Sequence, residues 1–246
     1  SQKPLHNKAV FCYPINMINI KDQIVVITGG SKGLGKGLAI AFANAGAKVI
    51  ISARQEDELT ATASEINATP IVCDIAKEAD VKNLANEVIS KYGKIDIWIN
   101  NAGVWLPHAS IEETDWQRVH EMMEVNLFGT VYGSKAALIQ MRKQNSGIII
   151  NILSTAALDG RVGSSGYGAS KYAAVGFTKS LQKEVMGTDI KALAIYPGGM
   201  QTNFFDEKVP DDIDKYMLVE YVADKIIQNL LQDVPEEELI IKRPTA

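Results

Sequence analysis

Short apolar runs recur along the chain at nearly regular intervals, each followed by a segment of helical periodicity, and this alternation restricts the fold more than any other feature. The runs are IVVIT (24–28), KVIIS (48–52), TPIVC (69–73), IDIWIN (95–100), GIIINI (147–152) and KALAIY (191–196). Helical spacing occupies 33–45, 55–66, 77–92, 112–143 and 165–187. Strands that are apolar along their whole length suit a parallel sheet covered on both faces, because both sides of each strand then need burial. Right-handed crossovers between successive strands give a doubly wound α/β sheet with helices on both faces. A further helix near 219–232 and the strand LIIK (239–242) close one edge. No Pro/Gly/Ser linker, internal repeat or low-complexity run divides the chain, so a single domain is expected.

A chain of 246 residues buries roughly 70–75% of its unfolded surface. Its longest apolar runs are far too short to span a bilayer, so no membrane is expected as a partner. The net charge of −4 is of mixed sign with no basic block, which argues against nucleic acid. Cys12 and Cys73 are the two cysteines, and His6, His108 and His120 sit at no metal-ligand spacing, so a reducing, cytoplasmic setting and no metal are expected. The first residues lack a secretory pattern. Residues 1–20 read as an N-terminal extension or arm before a domain at 21–246. Met17 reads like a natural beginning, which leaves 1–16 as an appended remnant, an upstream extension or an oligomer arm.

After the first strand comes TGGSKGLG (28–35), leading directly into a helix. Glycines there permit a tight turn and close backbone approach to a pyrophosphate, and the free N–H groups of the helix start favour an anion. Gly29, Ser31, Lys32, Gly33 and Gly35 are the candidate phosphate-end residues. Dinucleotide folds that take the unphosphorylated ribose place an acid at the end of the second strand. Here Ala53 stands at that point, followed by Arg54. Lys32 and Arg54 together suit an adenosine 2′-phosphate, so NADP (as NADPH) is expected over NAD. The alternative for each cation singly is a solvated surface charge, which their joint occurrence with a missing acid disfavours.

These residues, with NNAG (100–103), Asn126 in VNLFG, Ser154 in NILSTAA, and YGASK (167–171), resemble the short-chain dehydrogenase/reductase family, in its NADP-preferring branch. The likeness runs from about Ile24 to Thr202, with the motifs in the family's order and the family's spacing from Ser154 to Tyr167. It implies a Rossmann-like fold and an oxidoreductase moving hydride between nicotinamide and a carbonyl/alcohol pair. It also implies that Lys171 holds the nicotinamide ribose, that Ser154 donates to the reacting oxygen, and that Asn126 positions a water linking Lys171 to solvent. Asn101, Ala102 and Gly103 then pack beside the adenosine. Asn100 stabilises the central strands. Asp74 either bonds the adenine or caps the helix near Lys77. Pro197, Gly198 and Thr202 match the family's P-G-x-x-x-T turn beside the nicotinamide.

The pair Tyr167 and Lys171 has a physical rationale of its own. Residues four apart on a helix share a face. A phenol's pKa near ~10 is too high for much phenolate at neutral pH. An ammonium about 6 Å away favours phenolate by roughly 3 kcal/mol at an effective dielectric of ~20. Tyr167 is therefore expected as general acid/base with Lys171 as its tuner. No histidine lies near a matching hydrolase motif, so Ser154 need not be a nucleophile.

Substrate choice is expected to fall to Trp105 and Leu106, the stretch 158–165, and a lid around 203–217 carrying Phe204, Phe205, Tyr216 and Met217. Arg161 either meets a substrate carboxylate or is a solvated charge. The C-terminal EEELIIKRPT departs from the acyl-carrier-protein reductase branch and looks closer to reductases of small hydroxy acids, hydroxy ketones or pteridine side chains. A 3-oxoacyl-carrier-protein-type reductase and a catalytically silent NADP-binding regulator are the alternatives. By resemblance, a homodimer or homotetramer forms through the helices at 112–143 and 165–187.

Overall fold

The computed structural model describes residues 19–243. Strands β1 (Ile24–Thr28), β2 (Lys48–Ala53), β3 (Thr69–Val72), β4 (Ile97–Asn100), β5 (Gly147–Ile152), β6 (Ile190–Pro197) and β7 (Glu238–Ile241) form one sheet. All pairings are parallel, in the order β3-β2-β1-β4-β5-β6-β7. The order reverses between β1 and β4, which opens a crevice beyond their carboxyl ends. Apart from Asn19 and Ile20, the expected N-terminal extension lies outside the described residues. Ile20 is 3% exposed and belongs to the core.

Alternation along each strand sorts the apolar side chains onto two faces. Val25 and Ile27 pack with Leu38 and Phe42 of α1 (Gly33–Asn44), Leu59 of α2 (Glu56–Ile66), and Val222 and Ile226 of α7 (Val219–Leu230). Ile24 and Val26 face the other way. They pack with Leu84 and Val88 of α3 (Glu78–Tyr92), Ala137 and Met141 of α5 (Gly129–Gln144), and Leu181 of α6 (Ser165–Val185). Covering both faces is what makes continuous apolar strands stable in water. No helix among the described residues is long and apolar enough to cross a membrane.

The helix expected over 112–143 is broken. It begins at α4 (Trp116–Met123), where the Asp115 carboxylate accepts from the backbone N–H groups of Gln117 at 3.0 Å and Arg118 at 3.3 Å. A π-helical turn, Glu124–Phe128, then separates α4 from α5. Periodicity alone does not reveal the insertion, because α4, the turn and α5 run on without a non-helical residue. Asn126 stands at its centre, and the Thr130 hydroxyl donates to the Asn126 carbonyl at 2.9 Å.

A buried polar chain crosses from sheet to helices. The Trp98 indole donates to Asn100 Oδ1 at 2.8 Å, and Asn100 Nδ2 donates to Ser134 Oγ at 3.0 Å and Asn151 Oδ1 at 2.8 Å. Asn151 Nδ2 in turn donates to Thr178 Oγ1 of α6 at 3.0 Å. Asn100 thus fastens the strands, as its sequence position suggested. Gly133 of α5 lies so close that a Cβ there would stand 2.0 Å from Asn100 Oδ1. Replacing Asn100 by Leu strands several buried polar groups at about 1–3 kcal/mol each. Urea unfolding of Asn100→Leu should therefore show a loss of at least about 3 kcal/mol.

Candidate active site

At the carboxyl edge of the sheet a single cleft of about 1240 Å³ runs from the glycine turn after β1 to the start of α6. Gly29 at φ +65° and Gly33 at φ +53° adopt the left-handed backbone that side chains disfavour. Gly29, Ser31, Lys32 and Gly33 line the cleft. Gly35 does not: a Cβ there would lie 2.0 Å from the Gly29 carbonyl oxygen, so its smallness lets α1 pack on the turn. This bare backbone at a helix start, in a cleft of dinucleotide size, fits a pyrophosphate. Asn101 braces the turn by donating from Nδ2 to Thr28 O at 2.9 Å, and Asn101, Ala102 and Gly103 form the adjoining wall.

At the far end of the turn, Lys32 and Arg54 both reach the cleft from exposed positions, and among the described residues neither has an ion-pair partner. A carboxylate invisible to the sequence reading stands with them. Glu58, in the first turn of α2, accepts from the buried Ser31 hydroxyl at 3.1 Å. Its only sequence signal is a place one turn into the helix after β2. Asp74 also lines the cleft. It is not the α3 cap, which is Lys77; its Oδ1 accepts from Ala76 N at 3.2 Å in a local turn. Beside it the buried Cys73 thiol is pushed up to about 12 by burial and by Asp80 and Asp74.

Ser154 just after β5, Tyr167 and Lys171 of α6, and Pro197, Gly198 and Thr202 at the end of β6 and in the turn after it line the same cleft. Lys171 is 4% exposed, and its ammonium donates to the Ile152 carbonyl at 3.1 Å. A Cβ on Gly33 would stand 3.6 Å from Thr202 Cβ, which sets the turn after β6 against the phosphate turn.

Asn126 is near but not on the cleft surface. Its Oδ1 accepts from Val104 N at 2.9 Å, and its Nδ2 donates to Val104 O at 2.9 Å and Ser170 Oγ at 3.0 Å. Both amide hydrogens are thereby used. Ser170 donates to Tyr167 O at 2.8 Å, so Asn126 ties the loop after β4 to the Tyr167 turn of α6.

Aromatic rings enclose the chemical end. The Phe204 ring lies 6.2 Å from that of Tyr167, and Phe205 lies 5.2 Å from Trp105 and 5.8 Å from Tyr216, all edge-on. The segment carrying these phenylalanines is pinned at its base by Gln201, which donates to Asp214 O at 3.0 Å and Tyr216 O at 2.9 Å. At its outer side Glu207 pairs with Arg118 of α4 at 2.5 Å.

The sequence pattern of the short chain dehydrogenase family matches residues 23–213. The chain belongs to that family. An uncharacterised oxidoreductase of Staphylococcus saprophyticus is 32% identical over 244 residues, covering 94% of this chain and 99% of the relative. Carbonyl reductase family member 4 of Xenopus tropicalis is 34% identical over 182 residues, 74% of this chain and 77% of that protein. Among solved structures, an alcohol dehydrogenase of the archaeon Thermococcus sibiricus complexed with 5-hydroxy-NADP superposes with a TM-score of 0.83. It is 27% identical and covers 92% of this chain and 100% of its own. The protein is accordingly an oxidoreductase of the short-chain dehydrogenase family, whose members bind a nicotinamide cofactor.

In this short-chain dehydrogenase the tuning of the tyrosine differs from the electrostatic expectation. Tyr167 is pushed up to about 12, chiefly by burial; a hydrogen bond with Ser154 and the charge of Arg161 pull the other way. The buried Lys171 amine is itself lowered to about 8 by desolvation, and it donates a hydrogen to the Ile152 carbonyl. Arg161, held to Thr155 Oγ1 at 3.2 Å, is the cation whose field reaches the phenol.

Lys171 has a consequence for stability. Between about 8 and its ordinary 10.5 the folded chain holds fewer protons at this site than the unfolded chain, so native stability should climb with pH there. The span corresponds to at most about 3 kcal/mol. Lys171→Met should remove that climb, measured as the stability difference between the two proteins across this pH window. An unchanged slope would show the amine to be solvated.

Proposed function

We propose that the chain is an NADP-preferring oxidoreductase interconverting a carbonyl and an alcohol, with Tyr167 as the general acid/base. The observation that carries this reading is the meeting of Ser154, Tyr167 and Lys171 on one wall of the cleft whose other end is the glycine turn. A bound nicotinamide supplies or accepts the hydride. In reduction, Ser154 Oγ and Tyr167 Oη donate to the substrate oxygen as negative charge gathers on it, and Tyr167 then gives up its proton. A phenol raised to about 12 stays protonated near neutral pH, which suits donation. In oxidation the same oxygen takes the proton back. Lys171, cationic below about pH 8, holds the ribose side of the cofactor from its anchored place under β5. Asn126 positions α6 and the loop after β4, and acts through them.

Residues 203–217 serve as the lid of a domain spanning 21–246, with Phe204 and Phe205 excluding water from the reacting carbonyl. The half-exposed Ile139 of α5 and Tyr172 of α6 support association into a homodimer or homotetramer. A cytoplasmic setting follows from the same reading. Relatives named as an alcohol dehydrogenase and a carbonyl reductase family member support a carbonyl or alcohol substrate.

Two measurements test the proposal. With a panel of ketones and aldehydes and NADPH absorbance as readout, Tyr167→Phe should lower turnover at least about a hundredfold while leaving cofactor affinity nearly unchanged. Equal turnover would remove the general-acid role. In fluorescence titrations, Lys32→Ala combined with Arg54→Ala should weaken NADPH selectively and leave NADH nearly as before. Equal weakening of both would mean that the two cations face water.

A further inference from the structure

The adenosine end of the cleft carries a contradiction in charge. Lys32 and Arg54 offer two cations without carboxylate partners among the described residues, yet Glu58 lines the same corner. Its carboxylate is fixed by a hydrogen bond from Ser31 Oγ at 3.1 Å. Ser31 is itself immobilised: it is 5% exposed, and its carbonyl accepts from Thr62 Oγ1 at 2.8 Å. Both Glu58 and Thr62 belong to α2, so the helix after β2 grips the phosphate turn at two points. A serine hydroxyl has one hydrogen to give, and this one is spent on Glu58.

We infer that Glu58 is a specificity-determining residue that narrows the discrimination between NADPH and NADH. The inference rests on the proposed role of Lys32 and Arg54. An adenosine 2′-phosphate brought to this corner is drawn by two cations and repelled by the carboxylate, and it finds the Ser31 donor already engaged. A 2′-hydroxyl meets no such repulsion. It is a donor, and Glu58 is an acceptor with lone pairs beyond the one given to Ser31. With Ala53 where a strand-end acid would stand, Glu58 supplies from α2 the acceptor that β2 lacks. The corner thus tolerates both ribose forms.

The test uses 2′,5′-ADP and 5′-AMP, which carry the two adenosine ends without nicotinamide and so report binding independently of turnover. Calorimetric titration of the whole chain should show that Glu58→Gln, which removes the charge and keeps the shape, widens the preference for 2′,5′-ADP at least about tenfold at low ionic strength. The gain should shrink as salt rises. Glu58→Ala, which also frees Ser31, should widen it at least as much. An unchanged or narrowed preference in both variants, with native thermal melting, overturns the inference. Failure of the cofactor reading looks different: the unaltered protein binds the two fragments equally, while Glu58→Gln still creates a preference. If neither fragment binds any form, and NADPH and NADH do not bind either, both readings fall.

Discussion

All seven strands among the described residues point the same way, and that constraint organises the molecule. A parallel sheet sends every strand-to-helix turn to one edge, so the glycine turn after β1, the wall after β4, Ser154 after β5 and the turn after β6 converge without special arrangement. What must be arranged is their mutual height. The Trp98–Asn100–Asn151–Thr178 chain does this by fixing β4, β5 and α6 to each other through buried hydrogen bonds, each of which would be costly to leave unmade. Asn126 and Ser170 extend the same fastening to the turn of α6 that presents Tyr167.

At the chemical end, dehydration outweighs charge attraction. Placing a phenol and an ammonium side by side on a helix does not by itself make the phenol acidic, because the wall that holds them also takes them out of water. Both groups move toward their neutral forms: Tyr167 up to about 12, Lys171 down to about 8. Arg161, exposed at the rim, pulls the phenol back the other way. The Phe204 ring packs edge-on against Tyr167, so the segment that covers the cleft also shields the phenol from water.

Much of this was legible in the residue order. Strand and helix positions followed from apolar periodicity because the inner strands are buried on both sides, and the edge strand was recognisable from LIIK alone. The cleft residues from Gly29 to Thr202 were found by motif, and most of them do face it. Gly35 and Asn126 do not reach the cleft surface: one permits helix packing, and the other bonds backbone and Ser170. The π-turn was hidden because its residues continue the helical pattern. Glu58 and the Arg161–Tyr167 influence were hidden because both depend on where separate segments meet in space. The sign of the tyrosine shift was hidden for a related reason, since burial of a side chain at a helix start is not written in its spacing.

Cys73 shows what this packing does to a reactive atom. A sulfur beside a cleft would ordinarily be a point of attack, yet burial, with the carboxylates of Asp80 and Asp74 beside it, holds its proton in place. Alkylating agents and peroxides act on thiolate. Held up chiefly by burial, the Cys73 thiol beside the cleft presents little thiolate to such reagents near neutral pH, and the carboxylates of Asp80 and Asp74 add to that.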